Sequence, residues 1–289
     1  MTRANRRRAE WLMTAPSVLW LSMFFVIPTA MVFVMAFRVP DPYGGLGKEW
    51  GLQTIEALWR GSYGPVLWRT VWMSVLATMA CLAMALPVAY WIARLPKSAG
   101  RWVLAIIVVP FWTNFLIRIY AWKTVLHIEG PLKQALVTLG VVDPSTSLLF
   151  NSGAVIVVLI YNYLPFAILP LYAAAERFDF GLVEAARDLG AGRWRAMASV
   201  FLPGISQGLL TAFLVTFIPM LGSYAIPDIV GGTSAEMIGN KIAQRVFSDR
   251  NLPLASALAA VLALLMLLPA MGLLWSPRSA SRRGGGRGA

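Results

Sequence analysis

The chain has 289 residues, of which 58% are hydrophobic and only 13% are charged, with a mean hydropathy of +0.67. Soluble domains carry about a quarter charged residues, so this composition excludes a water-soluble globular protein and describes a polytopic membrane protein. The formal charge of +12 does not point to nucleic acid, because the basic residues flank apolar runs as they do in membrane proteins. One cysteine, Cys81, and one histidine, His127, exclude an internal disulfide and a cysteine- or histidine-based metal centre, so no bound metal is expected.

In chain order, residues 1–10 form a basic N-terminus with Arg3, Arg6, Arg7 and Arg8. An apolar run over 11–37 follows. It is longer than the apolar region of a signal peptide and has no small-residue cleavage site, so an uncleaved first span is expected. Further apolar runs cover 65–93, 102–125, 148–175, 205–229 and 253–275. Each meets the length of about 20 residues that a bilayer requires. The expected fold is all-α, with six transmembrane helices in one domain over 11–275. A basic tail over 276–289, ending in a glycine-arginine run, is expected to be disordered and to touch anionic lipid.

Charge orients the chain. The two termini and the segments 94–101 and 177–195 together hold 15 Lys and Arg, whereas the alternate segments hold 8. That asymmetry places both termini and the 177–204 loop in the cytoplasm. Seven prolines, Pro28, Pro87, Pro110, Pro165, Pro170, Pro219 and Pro227, fall in or near the spans. Each removes a backbone donor, so each is a candidate bend or break. Gly204 and Gly208 have the small-xxx-small spacing that lets helices approach closely.

The loop over 177–204 is polar and helix-forming. Asp179 is a candidate N-cap, and Leu182, Ala186 and Leu189 recur at helical spacing. Gly190 stands where the helix must stop and turn, because glycine takes positive φ without a Cβ clash. A second short helix follows, with Trp194, Met197 and Phe201 expected on one face and Arg193 and Arg195 carrying charge. Pro203 suits the first turn of the next span. Such an insert either joins two spans as a solvated loop or docks a partner. The order Glu184, Ala185, Ala186, Asp188, Gly190, Leu202, Pro203 resembles the EAA loop of ABC-importer permeases, with Val200 where that family usually has isoleucine. The resemblance implies a helix–turn–helix that couples to a cytosolic ATPase subunit.

Ionisable groups at membrane depth are costly and therefore functional suspects. Arg118 lies in a span beside Tyr120 and Trp122, where snorkelling to the outer interface is the competing reading. Arg69 beside Trp68 has the same two readings. Asp228 follows Pro227 at the outer end of the fifth run, where it either caps a broken helix or faces a pathway. Asn162 and Tyr163 are candidates for a pore or a helix contact. The candidate pathway set is Trp112, Asn114, Arg118, Tyr120, Tyr224 and Asp228. Interface anchoring explains its aromatic members equally well.

No catalytic residues are found. Gly44-Gly45-Leu46-Gly47-Lys48 is followed by Glu49 instead of Ser or Thr, so it is not a P-loop, and it is expected to be an outside loop. The chain is expected not to be an enzyme and to bind no cofactor of its own. ATP would be used by partner subunits.

Pro110-Phe-Trp-Thr-Asn-Phe-Leu-Ile-Arg-Ile-Tyr-Ala-Trp122 and Ile226-Pro-Asp-Ile-Val-Gly-Gly232, with Met237-Ile-Gly-Asn240 and Asp249-Arg-Asn-Leu-Pro253, resemble the spermidine/putrescine permeases of the PotB/PotH type. That resemblance implies a bacterial inner-membrane location and a polyamine substrate carried by alternating access. It also implies a second homologous permease subunit, two cytosolic ATPase subunits and a periplasmic substrate-binding protein. Permeases for amino-acid-like compounds or metal chelates remain alternatives. A membrane enzyme and a stand-alone channel are the alternatives from other classes. An enzyme would need intramembrane catalytic pairs, and a channel would need no coupling helix.

Overall fold

The computed structural model describes residues 13–61 and 63–274. The predicted basic N-terminus and the predicted disordered tail lie outside the described residues. The elements in chain order are α1 (Met13–Met35), a hairpin of β1 (Arg38–Pro40) and β2 (Leu46–Trp50), α2 (Gln53–Arg60), α3 (Tyr63–Ala93), α4 (Lys97–Val108), α5 (Phe115–Leu126), α6 (Pro131–Thr138), α7 (Ser152–Glu176), α8 (Gly181–Asp188), α9 (Arg193–Gly204), α10 (Ser206–Leu221), α11 (Ile238–Phe247) and α12 (Leu252–Leu274).

The fold is helical, with the short hairpin as its small sheet. Among the described residues, four segments are long and apolar enough to cross a membrane: Met13–Met35, Tyr63–Ala93, Ser152–Glu176 and Leu252–Pro269. Two bent pairs raise the number to six if each is one span. Lys97–Trp112 meets Phe115–Thr138 at 88°, and Arg193–Gly204 meets Ser206–Leu221 at 72°.

The chain divides into two compact units. The first comprises residues 1–64 and 241–264. Its hairpin pairs Arg38 with Trp50 and Pro40 with Leu46, where sequence led us to expect a loop. Arg38 explains the strands. Its guanidinium stacks 4.1 Å over the Trp50 ring, and its Nη1 donates to the Lys48 carbonyl at 2.7 Å. The Thr54 hydroxyl donates to the Arg38 carbonyl at 2.7 Å and so ties α2 to β1. The Gly45 N–H donates to the Arg250 carbonyl at 2.7 Å. Arg245 donates to the Tyr63 hydroxyl at 3.1 Å and pairs with Asp249. Burial disfavours its cation, but Tyr63 and Asp249 hold the guanidinium above its usual range.

The second unit comprises, of the described residues, 65–240 and 265–274. Asn151 caps α7 by accepting from the Ala154 N–H at 2.9 Å. The buried face of α7 runs through Val155, Val158, Leu159, Ile168, Leu171 and Ala175 and packs most extensively on α10. Their approach is close because Gly208 sits against Ala174. Helix α3 buries Ala77, Cys81, Ala85 and Ala89, a stripe of small residues at every fourth position. On α6, Lys133 is only 2% exposed and donates to the Asp143 carbonyl at 2.5 Å and to the Thr146 carbonyl.

The prolines differ in effect. Pro87, Pro165, Pro170 and Pro219 lie inside continuous helices, so these four do not break them. Pro110 lies in a 3-10 turn, Val109–Trp112, that ends the first half of the third predicted span. There the Asn114 side chain accepts from the Leu116 N–H at 2.8 Å and starts α5 afresh. The predicted continuous span over 102–125 is therefore two half-helices. The fifth predicted span also stops early: α10 ends at Leu221, and Pro227–Gly231 is a separate π-turn.

Gly208 generates a direct test. A Cβ there would collide with the Ala174 side chain, so Gly208→Val is expected to cost about 1–3 kcal/mol of stability by overpacking. The midpoint of thermal unfolding in detergent should fall. A midpoint equal to that of the parent protein would show that α7 and α10 do not approach at this point.

Candidate functional site

The segment over 177–204 is a helix, a turn and a second helix. Asp179, the expected N-cap, lies one residue before the helix cap at Phe180, and its Oδ1 accepts from the Gly181 N–H at 2.9 Å. Glu184 lies in the first turn, where a carboxylate is favoured by the helix dipole. Gly190 has φ +89°, which a residue with a Cβ adopts only under strain. The Gly190 N–H donates to the Arg187 carbonyl at 2.9 Å, and the Ala191 N–H to the Ala186 carbonyl at 3.0 Å. This pair of bonds is a Schellman turn.

The two faces of the segment differ sharply. Val183, Ala196 and Phe201 are buried, with Ala186, Met197 and Val200 packed beside them. Leu182, Leu189 and Trp194 are 53%, 89% and 83% exposed. Trp194 was expected to share a face with Met197 and Phe201, and it does not. The backbone over Met197–Phe201 is a π-turn, which shifts the register, so the spacing of an ordinary helix no longer applies. Pro203 was expected in the first turn of the next span. It lies at the end of α9, and the span begins at Ser206 after the 72° bend. Ala185, Asp188 and Pro203 are exposed, whereas Leu202 is half-buried.

Rings hold the inner face in place. Phe201 packs edge-on against Tyr90 at 5.1 Å and Phe178 at 5.2 Å between centroids, and stacks on Phe180 at 5.9 Å. Tyr90 also meets Phe180 at 5.5 Å. Arg94, just beyond α3, lies 5.5 Å over Phe180 and 5.6 Å over Tyr90. Its Nη1 donates to the Tyr90 hydroxyl at 3.0 Å, and its Nη2 lies 3.4 Å from Glu184 Oε1. Sequence reading missed Tyr90, Arg94 and Phe180. Their available signals were the Tyr-x-x-x-Arg spacing at a span end and an aromatic residue next to Asp179.

The pathway candidates fall into two groups. Trp112 is 82% exposed at the end of the 3-10 turn, Asn114 caps α5, and Tyr120 is exposed on α5. Arg118 stacks 4.6 Å over Phe111, with Phe115 at 5.9 Å. Its Nε and Nη1 are buried without a hydrogen-bond partner among the described residues. In the second group, the Asp228 N–H donates to the Tyr224 carbonyl at 3.0 Å. Asn240, which was not singled out, joins them. Its Nδ2 donates to the Tyr224 carbonyl at 3.0 Å and lies 3.5 Å from Asp228 Oδ1. Helix α5 packs on the Pro227–Gly231 turn, so the two broken segments are neighbours. Asn162 is buried and donates to the carbonyl of Val158, one turn earlier on the same helix, at 2.9 Å, while its Oδ1 is buried without a hydrogen-bond partner among the described residues.

Side chains satisfy the irregular stretch over 222–240. The Thr70 hydroxyl accepts from the Ile238 N–H at 2.8 Å, and Arg69 donates to the Ser234 carbonyl. The Phe150 N–H donates to the Val230 carbonyl at 2.8 Å, and the Ser234 hydroxyl to the Phe150 carbonyl at 3.2 Å. Among the described residues no group of three or more His, Cys, Asp or Glu is placed to hold a metal ion.

Comparison with known proteins places this geometry. The family described as binding-protein-dependent transport system inner membrane component matches residues 85–280. The chain is 34% identical to the spermidine/putrescine transport system permease protein PotB of Escherichia coli (strain K12), over 86% of this chain and 90% of that protein. It is 34% identical to the protein of the same name from Haemophilus influenzae, over 86% and 87%. Among solved structures, it is similar to a chain of a bacterial ABC transporter involved in the import of the acidic polysaccharide alginate. The TM-score is 0.68 at 18% identity, with 97% of each chain covered, a likeness of fold.

Proposed function

This chain belongs to the family of binding-protein-dependent transport system inner membrane components, and on that premise we propose that its 177–204 segment docks a cytosolic ATPase subunit. The observation that carries the proposal is the division of the segment into two faces. Its inner face packs on the end of α3 through Phe201 and Phe180, and its outer face exposes Leu182, Leu189 and Trp194. Exposed apolar residues clustered on a rigid helix pair are the mark of a docking surface. Glu184, Ala185, Ala186, Asp188 and Gly190 shape the first helix and its turn, and Leu202 and Pro203 end the second.

The assembly that follows has two ATPase subunits, which use the ATP, and a second homologous permease subunit. A periplasmic binding protein delivers the solute. The chain is an inner-membrane permease with several apolar helices. In this reading both its termini face the cytoplasm, on the same side as the docking segment. ATPase closure pulls on α8 and α9, and the rings pass the displacement to α3 through Tyr90. Such coupling requires contacts that differ between the two states, which a docked helix pair supplies. The broken α4–α5 and α10 segments offer irregular backbone of the kind that lines a pathway in membrane transporters.

Polyamine is the proposed substrate, because both PotB relatives carry that name. Asp228 with the Tyr224 and Trp112 rings offers a carboxylate and aromatic faces to an organic cation, each face contributing about 0.5–2 kcal/mol. Arg118 stacks on Phe111 but keeps its charge, which opposes a cation passing close to it.

Gly190→Val forces a β-branched residue to positive φ, and Glu184→Ala removes the carboxylate of the first turn. Both are expected to insert normally and to lose transport and substrate-stimulated ATP hydrolysis. Normal transport by both at normal abundance would sink the docking assignment.

Topology has its own test. A reporter joined after Ala289 should be active only in the cytoplasm, and one inserted near Leu46 only in the periplasm. The reverse pattern would overturn the orientation.

For the substrate, cells lacking this chain should take up less labelled putrescine or spermidine than the parent. Asp228→Asn should lower uptake of a cation that passes Asp228. Unchanged uptake in the deletion strain would remove polyamines and leave amino-acid-like solutes or metal chelates.

A further inference from the structure

Behind the α8 turn lies a cavity of about 200 Å³, lined by Tyr90, Arg94, Phe180, Glu184, Arg187 and Arg193. Three guanidinium groups face one carboxylate. Glu184 engages Arg94 alone, at 3.4 Å and with both groups about half exposed. The Arg187 and Arg193 side chains have no hydrogen bond or ion pair with another side chain among the described residues. The cavity therefore holds two positive charges more than it neutralises.

Its size and walls select the ligand. The volume is below the roughly 300–1,000 Å³ of sites for drug-sized molecules, so it suits one compact charged group. Guanidinium forks match the oxygens of a phosphate, and each such charge-assisted bond is stronger than a neutral one. Arg94 is already oriented by the Tyr90 hydroxyl and two ring faces, so little side-chain freedom remains to be lost on binding. We propose that this cavity binds a phosphate group, with Arg187 and Arg193 as its main donors and Arg94 as a third, released from Glu184. This extension rests on the docking reading for its consequence: an anion that draws Arg94 away frees Glu184 toward the ATPase. In the proposed orientation the cavity lies on the cytoplasmic side, beside the end of α3. The phosphate then comes from an anionic phospholipid of the inner leaflet or from free phosphate.

The test uses the purified importer containing the full chain. Binding of dioctanoyl phosphatidylglycerol, dioctanoyl phosphatidylcholine and inorganic phosphate is measured by native mass spectrometry and isothermal titration. Arg187→Gln with Arg193→Gln should weaken phosphatidylglycerol binding about tenfold or more. Arg177→Gln with Arg195→Gln, two exposed arginines of the same segment outside the cavity, should weaken it far less. Inorganic phosphate binding at least as tightly as the lipid, with the same arginine dependence, also supports the site and identifies a free anion as its source. Equal loss in both double variants, or no loss in either, overturns the proposal. The two readings fail separately. Transport lost in Gly190→Val without cavity-specific anion binding removes only the cavity. Anion binding that needs Arg187 and Arg193, with normal transport in Glu184→Ala and Gly190→Val, removes only the docking role.

Discussion

The edge-on packing of Phe201 and Phe180 against Tyr90 joins the 177–204 segment to the end of α3, while Phe178 packs on both rings from within the segment. Magnitudes decide which contact matters. An aromatic pair contributes about 0.5–1.5 kcal/mol beyond its burial, and Phe201 is fully buried within three such pairs. The exposed Arg94–Glu184 pair belongs to a class worth about 0.2–1 kcal/mol. The two ring pairs on Tyr90 therefore outweigh the ion pair in holding the segment to α3.

A second constraint governs the opposite half of the molecule. In a bilayer every backbone polar group needs a partner inside the protein or in a water-filled cavity. The chain nevertheless breaks its third and fifth apolar runs. Asn114, Thr70, Asn240 and Arg69 supply bonds at those breaks. Irregular backbone is thus concentrated where α5 meets the Pro227–Gly231 turn, and regular helix is kept elsewhere. Asp228 and the exposed Tyr224 ring fall in that neighbourhood because the break after α10 places them there.

Much of this was legible in the residues. Long uncharged apolar runs dictate membrane helices whatever their packing, and Gly190 after a short amphipathic stretch dictates a left-handed turn. The breaks were not legible, since hydropathy measures the length of an apolar run and not the continuity of its helix. Pro110 breaks one, whereas Pro87 and Pro165 lie in unbroken helix. The side of α9 taken by Trp194 was misassigned because a π-turn has no apolar signature of its own. The β1–β2 hairpin depends on Arg38 stacking on Trp50, a contact between residues 12 apart that no periodicity reports.

The stripe of Ala77, Cys81, Ala85 and Ala89 on α3 bears on motion. Large interlocking side chains make a helix interface a ratchet, because any axial shift must lift knobs out of holes and change rotamers. Alanine has no rotamers to change. Over these four residues α3 meets its neighbours through small side chains, with the larger Met73, Leu82 and Leu86 beside them. In the proposed coupling, the helix that Phe201 reaches through Tyr90 would have few rotamers to change along this stretch, and the small side chains that make it easy to bury would also make it easy to move.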